Sequence, residues 1–324
     1  WQRKLPTWEP GKSIATRVAS GACLEAVLDV VPGLVGGGAD LTGNTGTVIK
    51  NHGVMSADEP DGRQIYFGVR EHAMGGVMTG MAMHGGVLPI GGTFLVFSDY
   101  MRGAVRLAAI SQAHVVYSWT HDSVGVGEDG PTHQPVEHVM ALRAMPGLRV
   151  IRPADANETA QAWSLAVQGS GPTALILSRQ NVPVLDGTAG GDGVSQGAYV
   201  LVDTDSPPDI VLIGTGSEVA VCVTAAQTLS ERGVRARVVS MPCWSIFAAR
   251  PPAARDAVLP PGVPRLSVEA GVTFGWSRWA DASVGIDRFG ASAPGDLVLD
   301  RLGINPDNVV AQSLALLDGG RTSS

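Results

Sequence analysis

Cysteine is scarce: Cys23, Cys222 and Cys243 are the three in 324 residues, isolated and without CxxC spacing. That excludes a disulfide framework and a thiolate metal site and fits a reducing compartment, with the cytoplasm as the default. Positive charge is short as well. Twenty-three Lys and Arg face 30 Asp and Glu, a formal charge of −7, so no basic field exists to hold a nucleic-acid backbone or an anionic membrane. An anionic ligand must then be met by local groups. The opening WQRKLPTWEPGK has charge and proline but no apolar core, so it reads as neither signal nor transit peptide. It starts on Trp1 rather than Met, a hint that the chain was cut from something longer. One run, Ala73 to Ser98, lacks Asp, Glu, Lys and Arg, but its glycines, His84 and Pro89 divide it into a buried helix near 71–84 and a strand near 87–91 rather than a membrane span.

What is abundant is glycine, 42 residues, in a chain that is 44% hydrophobic: many tight loops and enough apolar mass for about two cores. Ser13 is placed to cap a helix with Leu24, Val27, Leu28 and Val31 on one face, stopped by Pro32-Gly33. Strand LVGG follows, then a strand near 64–68, the helix from 71, the strand near 87–91, a helix near 99–112, strand HVVYSWT, a helix near 136–145 and a strand near 148–151. Asp155 and Glu158 make a capping box for a helix ending near Val167, and TALILS closes the series. Alternating strands and helices predict a doubly wound, mostly parallel α/β sheet. Turn formers then mark a boundary, and DIVLIG, a helix from Ser217, RARVVS, RLSVEA and a helix near 307–318 predict a second, smaller α/β domain. The expected division is a leader at 1–12, a first domain at 13–185, a linker at 186–197 and a second domain at 198–324.

Three clusters carry chemistry. In FGVREHAMGG, Glu71 opens a helix poor in charge. An acid in a first turn complements the helix dipole, but the small and apolar residues after it suggest a dry pocket, where a carboxyl group can deliver a proton near neutral pH. In GGTFLVFSDY, Phe94, Phe97 and Tyr100 recur every three residues in a chain only 5% aromatic. That pattern suits plain core or a shelf for a flat ring. The loop THDSVGVGEDGPTHQP follows a buried strand, so it lies at the carboxyl edge of the sheet, where open α/β sheets bind ligands, and it gathers His121, Asp122, Glu128, Asp129 and His133. Metal binding by its histidines and acids is the nearest rival, without HExxH spacing to support it. Arg17 and Arg179 each sit at a predicted element end, where a guanidinium can hold phosphate or face solvent. GTGSE at 214–218 invites a dinucleotide reading but lacks the third glycine of GxGxxG.

Taken together, ATR, GGGADLT, VREHAMG, GGTFLVF, the 120–135 loop, RPADANE, LSRQN, TGSEV and GIDRFGASAPG resemble transketolase, in the family's order from about Ser13 onward. The resemblance covers the family's pyrimidine-binding and C-terminal domains, and the diphosphate-binding domain is missing. It implies a thiamine diphosphate enzyme that passes a two-carbon ketol unit from a ketose phosphate to an aldose phosphate. Glu71 would hydrogen-bond the cofactor's aminopyrimidine and so help activate the thiazolium, while Phe94, Phe97 and Tyr100 pack around the pyrimidine. His121, Asp129 and His133 would receive the sugar's hydroxyls and phosphate, with His121 and His133 handling protons, and Arg17 and Arg179 would bind the phosphate. Gly38 stands where the family pattern GGSADL has a phosphate-touching serine, so one hydroxyl is lost and weaker phosphate affinity is expected.

Mg²⁺ or another divalent cation would be held by the partner half. The one GDG, at 191–193, lies in the linker and its next Asn is Asn305, so it is a decoy and no metal site is expected in this chain. The implied partner is a chain or half carrying the diphosphate domain, in a heterotetramer or a homodimer of split chains, with sugar phosphates as ligands. Whether the chain is a natural split subunit or a fragment is left open. The alternatives are the β subunit of a 2-oxo acid dehydrogenase-type enzyme, a non-catalytic regulatory half, and metal-dependent hydrolysis by His121, Asp129 and His133.

Overall fold

The computed structural model describes residues 1–321; the last three residues of the expected second domain, 322–324, lie outside it. The first unit runs β1 (Ser13–Ile14), α1 (Thr16–Val27), β2 (Leu34–Gly38), β3 (Gln64–Tyr66), α2 (Glu71–His84), β4 (Leu88–Phe94), α3 (Ser98–Ile110) and β5 (Val116–Thr120). It continues through α4 (His138–Arg143), β6 (Arg149–Ile151), α5 (Ala156–Gln168), β7 (Thr173–Leu177) and β8 (Val182–Pro183). Six strands form one sheet in the order β3-β2-β4-β5-β7-β6, every pair parallel. The predicted doubly wound α/β class is therefore observed.

Both faces of this sheet are covered, as its continuous apolar strands require. Val116, Leu175 and Leu177 pack with Leu24 and Val27 of α1 and Trp163 of α5. Tyr117, Trp119 and Ile176 point the other way, into Met74 and Met78 of α2 and Met101 and Val105 of α3. The uncharged run at 73–98 is explained by this packing. A Cβ on Gly91 would lie 2.3 Å from the Met78 sulfur, so α2 is seated directly on β4. No helix among the described residues is long and apolar enough to cross a membrane.

Ser13 does not cap α1. It lies in β1, which pairs antiparallel with β8. The first amides of the helix are instead met from across the fold: Ala15 N–H donates to Asn181 Oδ1 and Thr16 N–H to Ser178 Oγ, both at 3.0 Å. The capping box at α5 does form. Asp155 accepts from the Glu158 amide at 2.9 Å, while the Glu158 carboxylate reaches one residue further back, to Ala154 N–H at 2.7 Å.

The second unit runs β9 (Tyr199–Val202), β10 (Ile210–Gly214), α6 (Glu218–Glu231), β11 (Ala236–Ser240), α7 (Trp244–Ala248) and α8 (Pro252–Val258). β12 (Arg265–Val268), β13 (Ala282–Val284), α9 (Gly295–Arg301) and α10 (Pro306–Arg321) complete it. Its five strands are ordered β13-β12-β10-β11-β9, with β9 antiparallel to β11, so this sheet is mixed. The edge strands β9 and β13 and the short helices α7 to α9 are additions to what periodicity predicted.

Candidate functional site

Strand order in the first sheet reverses between β2 and β4, and ligands bind open α/β sheets at the carboxyl ends of strands beside such a reversal. The sequence-derived residues fall on that edge. Gly38 ends β2, Phe94 ends β4, His121 follows β5, Arg179 follows β7 by two residues and Glu71 begins the helix after β3. Arg17 projects from the first turn of α1.

The aromatic cluster and the long loop meet there in one ladder. Tyr100 stacks on Phe97 at 5.7 Å, Phe97 on Phe94 at 5.9 Å, and Phe94 on the His121 imidazole at 3.6 Å between ring centroids. His133 places its ring edge-on to Phe97 at 5.6 Å. The inner end of the ladder is buried, with Phe94 7% exposed, and the outer end is open, with Tyr100 67% exposed. Three rings used only as core would be closed on every side, so this shape suits a flat group added at the open end.

His121 has φ of 62°, in the left-handed region that a non-glycine residue occupies only at a cost of roughly 1–3 kcal/mol. Its Nδ1 meets the Thr120 hydroxyl at 2.8 Å, and Nε2 has no hydrogen-bond partner among the described residues. Burial, and after it the charges of Arg17, Arg179 and His133, push the imidazole down to a pKa of about 3. The ring is therefore neutral at physiological pH, able to donate on one nitrogen and accept on the other.

Arg17 and Arg179 form a pair of cations with no acid. Arg17 donates to the carbonyl oxygens of Asn44, at 3.2 Å, and Arg179, at 3.5 Å, and neither guanidinium joins an ion pair among the described residues. Burial and then the neighbouring Arg179 charge lower the Arg17 pKa. Two like charges held together without compensation are a standing attraction for an anion. Beside Arg179 opens a cavity of 650 Å³ that also touches Asp129 and the second unit at Ser217 and Asp296.

Glu71 is 8% exposed, and its carboxyl has no hydrogen bond or ion pair among the described residues. It meets none of the ladder residues in a polar contact. At Gly38 a Cβ would lie 2.8 Å from Thr42 Cα and 2.9 Å from Thr42 Oγ1. The Thr42 turn therefore closes on the position where the family pattern has serine.

The metal-hydrolysis alternative gains no support from this geometry. Among the described residues the one His/Asp/Glu group close enough to share an ion is Asp99, Glu137 and His138, away from His121, Asp129 and His133. Asp192 of the linker GDG accepts from Gln196 at 3.0 Å in a turn rather than at a strand end. Sequence reasoning missed Arg152. This residue is fully buried, with its Nε 2.9 Å from the carboxylate of Asp122, the neighbour of His121.

The chain thus joins a doubly wound parallel sheet, carrying stacked aromatic rings, a buried glutamate and two arginines on one edge, to a mixed five-stranded α/β unit. The family model "Transketolase, pyrimidine binding domain" matches residues 12–184, and "Transketolase-like TK C-terminal domain" matches residues 197–305. The chain belongs to the transketolase family, as the half that carries these two domains. A transketolase of Geobacillus stearothermophilus is 51% identical over 325 residues, covering 98% of this chain and 49% of the relative. A Pichia stipitis transketolase solved as a complex with sedoheptulose 7-phosphate superposes with a TM-score of 0.96 at 40% identity, covering 99% of this chain and 48% of that one. The chain thus spans about half the length of the curated relatives it matches. A structure described as a split gene transketolase, an inactive β4 tetramer, shares the fold at a TM-score of 0.76 and 24% identity, covering 94% of this chain and 99% of that one.

Proposed function

We propose that this half, joined to a polypeptide carrying a diphosphate-binding domain, transfers a two-carbon ketol unit from a ketose phosphate to an aldose phosphate. The observation that carries the reading is the pair Arg17 and Arg179, neither of which joins an ion pair among the described residues, beside a neutral His121. Such a pair suits a sugar phosphate better than an uncharged or singly charged oxo acid.

Thiamine diphosphate, the cofactor of the family, fits the residues present. The Glu71 carboxyl is buried without a partner, and the ladder ends in an exposed ring. Bound there, the cofactor supplies the nucleophile and electron sink for breaking a carbon–carbon bond next to a carbonyl. Glu71 would offer its carboxyl to a pyrimidine nitrogen of that cofactor as a hydrogen-bond partner. Phe94, Phe97 and Tyr100 shield that ring from water. His121 and His133 donate to and accept from substrate oxygens without carrying charge of their own at His121. Asp129 accepts from a sugar hydroxyl, Arg17 and Arg179 clamp the phosphate, and at Gly38 a backbone N–H takes the place of the serine hydroxyl.

In this reading the working domains are 13–185 and 198–324, with 1–12 as leader and 186–197 as linker. Mg²⁺ and the diphosphate belong to the other half, and the assembly is a heterotetramer or a dimer of split chains in the cytoplasm. The split gene structure, described as inactive, has the same fold at matching length, which supports a half-chain of this plan existing as a separate polypeptide. The test mixes the chain with a diphosphate-domain half, thiamine diphosphate and Mg²⁺, and offers xylulose 5-phosphate with ribose 5-phosphate in one reaction and pyruvate with an electron acceptor in another. Formation of a seven-carbon and a three-carbon sugar phosphate is expected. Consumption of pyruvate alone would replace this reading with the 2-oxo acid one.

A further inference from the structure

GTGSE, the motif that looked like a dinucleotide loop, has a different occupant. Gly216 sits at φ of 59°, and a Cβ on it would lie 2.6 Å from the Arg152 guanidinium carbon. The space that a pyrophosphate would need is filled by a side chain of the first unit. Glu218, the last residue of the motif, is 1% exposed at the start of α6 in the second unit.

From this one carboxylate two chains of contacts run back into the first unit. Oε2 accepts from Arg152 Nη1 and from Ala270 N–H, the latter at 2.9 Å. Arg152 in turn binds Thr215 O at 3.0 Å and Asp122 Oδ2 at 2.9 Å, and Asp122 is the residue after His121. Oε1 accepts from the Ser217 hydroxyl at 2.6 Å, and Ser217 Oγ accepts from Gln180 Nε2 at 3.3 Å. Gln180 is the residue after Arg179. It also underlies the long loop, since a Cβ on Gly125 would come within 2.8 Å of its amide.

We infer that Glu218 is a positioning residue that sets His121 through Arg152 and Asp122 and sets Arg179 through Ser217 and Gln180. The second unit thereby takes part in the site without touching its ligands. His121 is where such support is needed, because a left-handed backbone at a non-glycine residue persists only where its surroundings over-determine it. The chemistry favours a carboxylate at this point. It is acceptor-only and can serve an arginine, an amide and a hydroxyl at once, whereas an amide side chain has one acceptor atom and loses the charge facing Arg152.

The inference rests on the proposed reading of the edge as a sugar-phosphate site, and the test separates the two. Glu218→Gln, Ser217→Ala, Glu158→Gln and the unaltered chain are compared by NMR of the His121 ring and by titration with inorganic phosphate. Glu158 is an equally buried acid joining the two units, through Tyr199 at 2.8 Å and through Ser240, and has no polar contact with either chain from Glu218. Glu218→Gln is expected to shift the His121 ring signals and to weaken phosphate binding about fivefold. Ser217→Ala is expected to weaken phosphate binding about threefold and leave the His121 signals in place. Glu158→Gln is expected to move neither. If Glu158→Gln has the same effect as Glu218→Gln, or if Glu218→Gln and Ser217→Ala leave both readouts unchanged, the positioning role is wrong. If Glu218→Gln fails to fold, Ser217→Ala against Glu158→Gln decides alone. An unaltered chain that does not bind phosphate overturns the proposed clamp instead, and the His121 signals still report on the positioning role.

Discussion

Two pairs of arginines, placed on either side of the long loop, show how opposite surroundings turn one side chain to opposite uses. Arg17 and Arg179 lie on the open edge with no carboxylate, each holding only backbone oxygens or nothing. Arg143 and Arg152 lie in the seam between the two units among Asp122, Glu218 and Glu269. In the seam, burial would push the Glu269 carboxyl up, but Arg143 and Arg152 outweigh it and hold it below the usual carboxylate range. Trp276 adds an N–H to the same carboxylate at 2.8 Å. The seam is compensated and serves the fold; the edge is uncompensated and is left for a ligand.

The comparison is broken hardest by Arg152→Met. It leaves Asp122 and Glu218 without their cation in a dry seam while Glu269 keeps Arg143, and breaking a buried pair from one side costs about 3–5 kcal/mol. Urea unfolding of the chain should show a loss of that size, and a loss under 1 kcal/mol would mean the seam is not a compensated network.

A further acid between the two units, Glu158, makes stability depend on pH. Burial, followed by the charge of Asp155, raises Glu158 to about 7. Between its unfolded value near 4.5 and about 7 the folded state holds the extra proton, so stability falls as pH rises through that window, by up to about 3 kcal/mol. Glu158→Gln should flatten this slope in unfolding curves taken at pH 5, 6 and 7. His121 acts with the opposite sign. Its folded value of about 3 lies below the unfolded 6.5, so its contribution is present above pH 6.5 and is lost as pH falls toward 3.

Arg179→Ala tests the other side of the comparison. Removing an uncompensated cation should leave stability within about 0.5 kcal/mol. Ribose 5-phosphate binding should weaken by about 1.5–3 kcal/mol, the range for a hydrogen bond to a charged group. Calorimetry of both quantities on one preparation checks the pair. The smallest effect is expected for Gly38→Ser. The new hydroxyl is worth about 1 kcal/mol to a phosphate, but its Cβ presses on the Thr42 backbone at 2.8 Å, so the chain should lose about 1 kcal/mol of stability for a similar gain in binding.

The open edge was far more legible in the sequence than the seam. β2, β5 and β7 announce themselves as short apolar runs bounded by turn residues, and the residues just past their ends form the edge by the geometry of parallel sheets alone. α2 was readable to its bounds because Glu71 and Gly85 frame an uncharged run. The seam gives no such signal. Arg152, Asp122, Glu218 and Glu269 are spread over four separate segments, each charge looks solvated on its own, and ion pairs between residues 30 and 66 positions apart leave no local period. The Ser13 cap failed for the same reason, since its competitors Asn181 and Ser178 reach the helix from more than 160 residues away. What could have flagged the seam is Gly216, a glycine too many for a plain strand-to-helix turn.

The proposed contact is between the Glu71 carboxyl and the cofactor's pyrimidine. It is tested most directly by reconstituting the chain with a diphosphate-domain half and comparing ketol transfer by the unaltered chain and by Glu71→Ala, both at saturating thiamine diphosphate. The account predicts a loss of at least about 100-fold in turnover with the fold intact. Equal turnover by the two would contradict it.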